Sequence, residues 1–318
     1  MHIRLQGLGL AALTADTALG QSVRQVFNFS SYVDIENSHL RPNGHLLLST
    51  FDNGRLYTID PSAANPQAQL VSAMPGATAL CGIASIGDDK YAVVGGIRGN
   101  YSYTNETIYT VDYNGRNAQN ATIAIAAHVS NATMLNGMDS LPQKPHVVLL
   151  ADSRQGAIYR ADTDSGVSTT VIQDEALAAP SNATLPIGAN GLKIRGSFVY
   201  YTNSARNTFG RVPITIDGDQ AGDVEVVAHL NGGTAGYDWD DFIFDEAGVV
   251  YAAQPTNAIA KIKSNGQHSI FVGGGNSTLI QGPTSITIAR DGKTAYVTTH
   301  GSTVDGFEYS GQVLEMQL

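Results

Sequence analysis

Four polar residues stand out by type and by spacing: Glu36, Asn136, Asn190 and Asp240. They offer two carboxyl groups and two amide oxygens. Gathered at one point, such oxygens suit a hard divalent cation such as Ca2+ or Mg2+, which prefers carboxylate and carbonyl oxygen to thiolate or imidazole. Without a cation, two buried carboxylates would repel, and one would stay protonated. Asp240 could then act as a general base. The pairs Asn136-Gly137 and Asn190-Gly191 also read as ordinary turn dipeptides, and Asp240 as a loop cap. The cluster therefore has chemical meaning only if the fold brings all four together.

The elements around them repeat. One unit recurs: a strand, a tight turn with Gly or Asp, a second strand, a polar loop and a third strand. In the first unit these are Glu36 to Leu40, the turn Arg41-Pro42-Asn43-Gly44, Leu46 to Thr50, the loop Asp52-Asn53-Gly54, and Leu56 to Ile59. In the fifth, Asp240 to Phe244 precedes Asp245-Glu246-Ala247-Gly248 and Val249 to Ala253. The units start near residues 36, 82, 136, 190, 240 and 284, 44 to 54 residues apart. That period suits four-stranded propeller blades. The expected fold is all-β, a six-bladed β-propeller with four-stranded antiparallel blades, spanning residues 21–318 as one domain. The last strand, Gln312 to Leu318, is expected to share a blade with Val23 to Phe29, which would remove the final free sheet edge. A β-sandwich is the alternative, and the regular spacing favours radial repetition.

In a propeller the first strand of each blade lines the axis. Its start lies on the same face of the disc as the loop after the second strand. That face should gather Glu36, Asn136, Asn190 and Asp240. It should also gather loop aromatics and donors: Tyr101 and Tyr103, Arg206 and Phe209, Tyr237 and Trp239, His300, and Phe307 with Tyr309. Aromatic walls suit an apolar or aromatic ligand better than a polyhydroxylated sugar lactone. Packing of these aromatics into the disc is the other reading.

The sequence resembles the SMP-30/gluconolactonase-like propellers, especially their fungal biosynthetic members. The segments that carry this are Ile35-Glu36-Asn37, Leu135-Asn136-Gly137-Met138, Ala189-Asn190-Gly191-Leu192-Lys193 with Tyr201-Thr202-Asn203-Ser204, Asp240-Asp241-Phe242, and Gly282-Pro283-Thr284-Ser285. For the lactonases of that family, the resemblance implies a divalent metal on Glu36, Asn190 and Asp240, a substrate contact at Asn136, and Asp240 as base. The chain departs from the lactonase pattern at Glu36-Asn37-Ser38, where Glu-Gly-Pro is usual, and at Trp239-Asp240-Asp241, where Pro-Asp-Gly is usual.

Fungal members include hetero-Diels–Alder cyclases that join a polyketide-derived quinone methide to a terpene alkene. The resemblance therefore implies a tailoring enzyme of secondary metabolism that requires no cofactor for cyclisation. Such a reaction needs two apolar partners held in register and a hydrogen-bond donor at the quinone methide oxygen. The candidate catalytic groups are Tyr101, Tyr103, Asn190, Trp239, Asp240 and His300. Candidate substrate-binding groups are Asn136, Arg206, Phe209, Tyr237, Phe307 and Tyr309. The alternatives are a metal-dependent lactonase and a secreted binding propeller.

Other features bound the answer. Net charge is −10 and only 14% of residues are charged, so a phosphate backbone is an unfavourable partner. No apolar stretch approaches the ~20 residues of a membrane helix. The expected partner is a small apolar or aromatic molecule, and the sequence does not specify an oligomeric state. No Gly-x-Ser-x-Gly elbow, His-Glu-x-x-His or phosphate-binding glycine loop is present. The single cysteine, Cys81, reads as a small buried hydrophobe. Residues 1–20 read as a signal peptide, and seven Asn-x-Ser/Thr sequons, at Asn28, Asn100, Asn105, Asn120, Asn131, Asn182 and Asn276, fit an N-glycosylated protein of the secretory pathway.

Overall fold

The computed structural model describes residues 22–115, 119–230, 238–274, 277–304 and 307–318. The expected signal segment and Asn276 lie outside them. Among the described residues every regular element is a strand, and no helix is long and apolar enough to cross a membrane.

Six four-stranded antiparallel sheets form a ring. The inner strands are Ile35–Leu40, Ala79–Gly87, Leu135–Leu141, Ala189–Arg195, Phe242–Phe244 and Pro283–Ile288. Each contacts the inner strand of the next blade, and the first contacts the sixth, so the circle closes. Blade six is completed by both chain ends: Gln312–Gln317 pairs Thr294–Thr299 on one side and Val23–Asn28 on the other. The fold, blade count and shared closing blade are as the sequence implies. A separate two-stranded hairpin, Ser302–Val304 with Phe307–Tyr309, rises from blade six.

The radial gradient follows from the sequence. Second strands such as Leu46–Thr50 and Val250–Gln254 are buried throughout, because blades cover them on both faces. Outer strands such as Gln69–Ala73 meet solvent and carry polar residues. Apolar clusters fill the gaps between neighbouring blades, as where Ala92 and Val94 of blade two meet Val148 and Leu150 of blade three.

One irregularity recurs where it matters for function. The ladder between inner and second strand slips between Ile35 and Asn37, Leu80 and Ile83, Leu135 and Met138, Ala189 and Leu192, and Pro283 and Ser285. In blade five the strand starts only at Phe242, directly after Asp240 and Asp241. A bulge of this kind bends the strand and re-aims its side chains. Here it falls beside Glu36, Asn136, Asn190 and Asp240.

Candidate active site

Glu36, Asn136, Asn190 and Asp240 come together around one axial pocket of about 290 Å3. Residues 204 positions apart thus line a single cavity. Tyr101 and Tyr103 line it as well. Tyr101 sits at φ 51°, a left-handed conformation uncommon for a bulky side chain, in a turn closed by the Gly99 N–H to the Ser102 carbonyl at 2.8 Å. The Tyr103 hydroxyl hydrogen-bonds the Cys81 thiol, which burial pushes well up in pKa. Cys81 is therefore a buried, protonated thiol, as its sequence context implies.

Six further lining residues escaped the sequence reading as site residues: Phe51, Arg98, Gly99, Asn100, Met134 and Ile187. Phe51 follows the second strand of blade one and Arg98 ends that of blade two, at the face expected to carry the pocket. Met134 lies two residues before Asn136, and a period of two returns its side chain to the same side of an extended chain. The Arg98 guanidinium lies 4.1 Å from the Phe51 ring centroid and 3.6 Å from the Asp34 carboxylate.

The electrostatics follow from burial. Desolvation pushes the Glu36 carboxyl up to about 8; Asp34 and Asp241 add to this and Arg98 opposes it. Burial also raises Asp240 well above the carboxylate range, reinforced by Glu36, Asp238 and Asp241 and opposed by the Asn190 hydrogen bond. Asp238 is raised to about 6 by burial. A carboxyl group held protonated at neutral pH is a hydrogen-bond donor.

The two amides differ. Asn190 donates through Nδ2 to Ser204 Oγ at 2.9 Å, while its Oδ1 is buried and unpartnered. The Asn136 side chain is only 5% exposed and lines the pocket. No hydrogen bond to another described residue engages its amide. Two carboxyls and the orphaned Asn190 oxygen make a donor set that fits a hard divalent cation.

Several candidates lie elsewhere. Trp239 is fully buried with Phe209 and Phe242 between blades four and five, edge-on to His268 at 5.2 Å. Adjacent residues of an extended chain point opposite ways, so Asp240 facing the axis turns Trp239 into the core. Phe209 belongs to a third strand, two strands from the axis, and packs against Phe242 at 5.1 Å. Arg206 is pinned sideways, donating to the Ala178 carbonyl at 2.9 Å and to Glu175 at 3.3 Å. Tyr309 is 39% exposed on the blade-six hairpin, outside the pocket lining. His300 stands near Asp34 and Arg98 and is not among the lining residues; burial lowers its pKa and Asp34 opposes the shift. Tyr237 and the Phe307 side chain lie outside the described residues.

The comparisons with known proteins divide into sequence and fold. No protein-family model matches the chain. By sequence it is similar to "Putative hetero-Diels-Alderase asR5" of Sarocladium schorii, 26% identical over 86% of this chain and 76% of that protein. It is also 29% identical to a "Putative hetero-Diels-Alderase" of Phoma sp, over 85% and 84% of the two chains. The resemblance read from the sequence is thus borne out. By fold it matches a calcium-binding regucalcin of Agrobacterium tumefaciens, with TM-score 0.67, 16% identity and 93% and 94% of the two chains covered. A gluconolactonase of Xanthomonas campestris matches with TM-score 0.63 and 11% identity over 94% and 89%. The curated relatives carry the names of enzymes, and the structural neighbours share the six-bladed architecture.

Proposed function

We propose that the axial pocket catalyses a hetero-Diels–Alder cyclisation between a quinone-methide-type heterodiene and an alkene. The observation that carries this is the Asn136 amide, which lines the pocket and is engaged by no described residue, in one lining with the apolar side chains of Phe51, Met134 and Ile187. In the reaction, the O=C–C=C unit of the quinone methide adds to the alkene. Two σ bonds form, three π bonds become one, and nothing leaves. Catalysis then consists of orientation and of stabilising charge on the oxygen.

Each need has a counterpart. The Asn136 N–H is free to donate to the quinone methide oxygen, where negative charge grows as the aromatic ring is restored. Phe51 and Tyr103, ring centroids 6.3 Å apart and edge-to-face, offer flat surfaces to the heterodiene. Met134 and Ile187 suit the alkene partner. Tyr101 at the mouth limits water entry. The names of the two sequence relatives support the same reading.

The test is product analysis. A quinone methide generated in situ, mixed with a terpene alkene and the protein, should give one dihydropyran stereoisomer faster than the background reaction. Formation of the racemate at the background rate would refute the proposal.

A second reading has its own observation, the unpartnered Asn190 Oδ1 beside two carboxyls. Glu36, Asn190 and Asp240 would hold Ca2+ or Mg2+, which when bound supplies Lewis acidity to a lactone carbonyl. Lactone turnover abolished by chelator and restored by metal would establish it in place of the cyclase.

A further inference from the structure

The opposite end of the axis holds a second cavity, of about 430 Å3, which shares no lining residue with the pocket above. A constricted layer separates the two. It consists of the residues one step beyond the upper ring: Asn37, Gly82, Gly137, Gly191, Asp241 and Ser285. Asn37 donates to Asp241 at 3.0 Å, and Ser285 Oγ lies 3.4 Å from the same carboxylate oxygen. The glycines let neighbouring inner strands touch: a Cβ on Gly137 would stand 2.4 Å from the Asn190 carbonyl oxygen.

Below this layer the walls are apolar, with Leu40, Ile83, Met138, Ile243 and Ile286 drawn from five blades. Against them stands a small polar floor whose bonding can be followed atom by atom. The Lys193 ammonium makes contacts of 2.7 and 2.9 Å, both to the Asp241 carboxylate, and so keeps a further N–H. His39 Nδ1 lies 3.1 Å from the Leu40 carbonyl, which can only accept. The imidazole proton is therefore on Nδ1, and Nε2 keeps a bare lone pair. Burial holds His39 down to about 4, so the ring is neutral. Ser38 and Thr287 are spent on each other: Thr287 donates to the Ser38 carbonyl at 3.0 Å, and Ser38 Oγ lies 2.9 Å from Thr287 Oγ1. Lys193 and His39 thus set one donor and one acceptor beside the apolar walls; the lining also holds Arg290 and Asp139, whose carboxylate accepts the Ser140 and Ile194 N–H groups at 2.8 Å.

We propose that this lower cavity is a second ligand site, for a neutral, mostly apolar molecule carrying a single hydroxyl group. A hydroxyl accepts from Lys193 and donates to His39 in the same stroke, which neither a hydrocarbon nor an ether can do. An anion would meet Asp139 in the cavity and Asp245 and Glu246 at its rim. A cation would meet Lys193 and Arg290. The volume lies within the range of small-molecule pockets, roughly 300–1,000 Å3. The inference goes beyond the cyclase reading and stands without it.

The experiment is calorimetric titration of the purified protein with menthol and, separately, with its methyl ether. Menthol should bind with one-to-one stoichiometry, and the ether at least fivefold more weakly. Ile243→Trp and Leu40→Trp fill the chamber from two walls and should each weaken menthol at least tenfold, with folding checked by circular dichroism. Met134→Trp, in the upper pocket, should leave menthol affinity unchanged. Absence of saturable menthol binding, equal affinity for the ether, or binding that survives both wall variants and is lost in Met134→Trp would overturn the proposal.

Discussion

The Asn37 amide sits 3.0 Å from the Asp241 carboxylate and joins the first blade to the fifth across the axis. This bond, with the three glycines at the same level, separates an upper pocket around Glu36, Asn136, Asn190 and Asp240 from a lower chamber that holds Lys193 and His39. Two chemically different ends of one channel result.

The constriction is a packing prediction. In Gly137→Ala the new methyl would stand 2.4 Å from both the Asn190 carbonyl oxygen and the Leu192 nitrogen, and neither backbone atom can rotate away. The variant should lose about 1–3 kcal/mol of stability or more. Chemical denaturation measures this. Since Asn136 and Asn190 flank the contact, cyclisation should fall as well.

Trp239 separates a core residue from a catalytic one. Its indole is buried between blades four and five and lines neither cavity. Trp239→Phe should lower the melting temperature while kcat/KM for cyclisation stays within about twofold. A tenfold fall in kcat/KM in a folded variant would return Trp239 to the site.

Glu106 gives a pH prediction. One carboxylate oxygen accepts the Leu135 N–H at 2.7 Å, and the other is buried without a partner. Burial pushes the group up to about 8, from an ordinary value of 4.5. Between those values the folded chain binds the proton that the unfolded chain releases. Its contribution to stability is therefore complete below about 4.5 and is lost as pH rises through 8. Glu106→Gln should flatten the fall in stability over that range, by an amount on the order of a few kcal/mol. Denaturation midpoints at several pH values test it.

The legible part of the molecule was its period. Turn residues such as Asn43-Gly44 and Asp291-Gly292 recur at blade spacing, and that recurrence placed the inner strands and the axial ring of Glu36, Asn136, Asn190 and Asp240. Side-chain direction was less legible. Trp239 and Asp240 are neighbours in sequence and face opposite ways, because the chain is extended there. Phe209 was assigned to a loop, but it sits in a third strand that never reaches the axis. Met134 and Ile187 are apolar residues in loops, and nothing in their type distinguishes a pocket wall from packing. The lower chamber was invisible for another reason. Its floor pairs Lys193 with Asp241 and His39 with Leu40, contacts that exist only once inner strands from different blades, or a ring and its own backbone, have been placed.

Asn136 tests the account most directly. The measurement is the rate and stereochemical purity of dihydropyran formation from an in situ quinone methide and a terpene alkene, comparing the wild-type protein with Asn136→Ala. We expect one stereoisomer from the wild type. The variant should retain its melting temperature within a few degrees and lose at least tenfold in rate, in line with removal of a donor to a developing oxyanion. A folded Asn136→Ala protein with unchanged rate and selectivity would contradict the assignment of the upper pocket as the place of cyclisation.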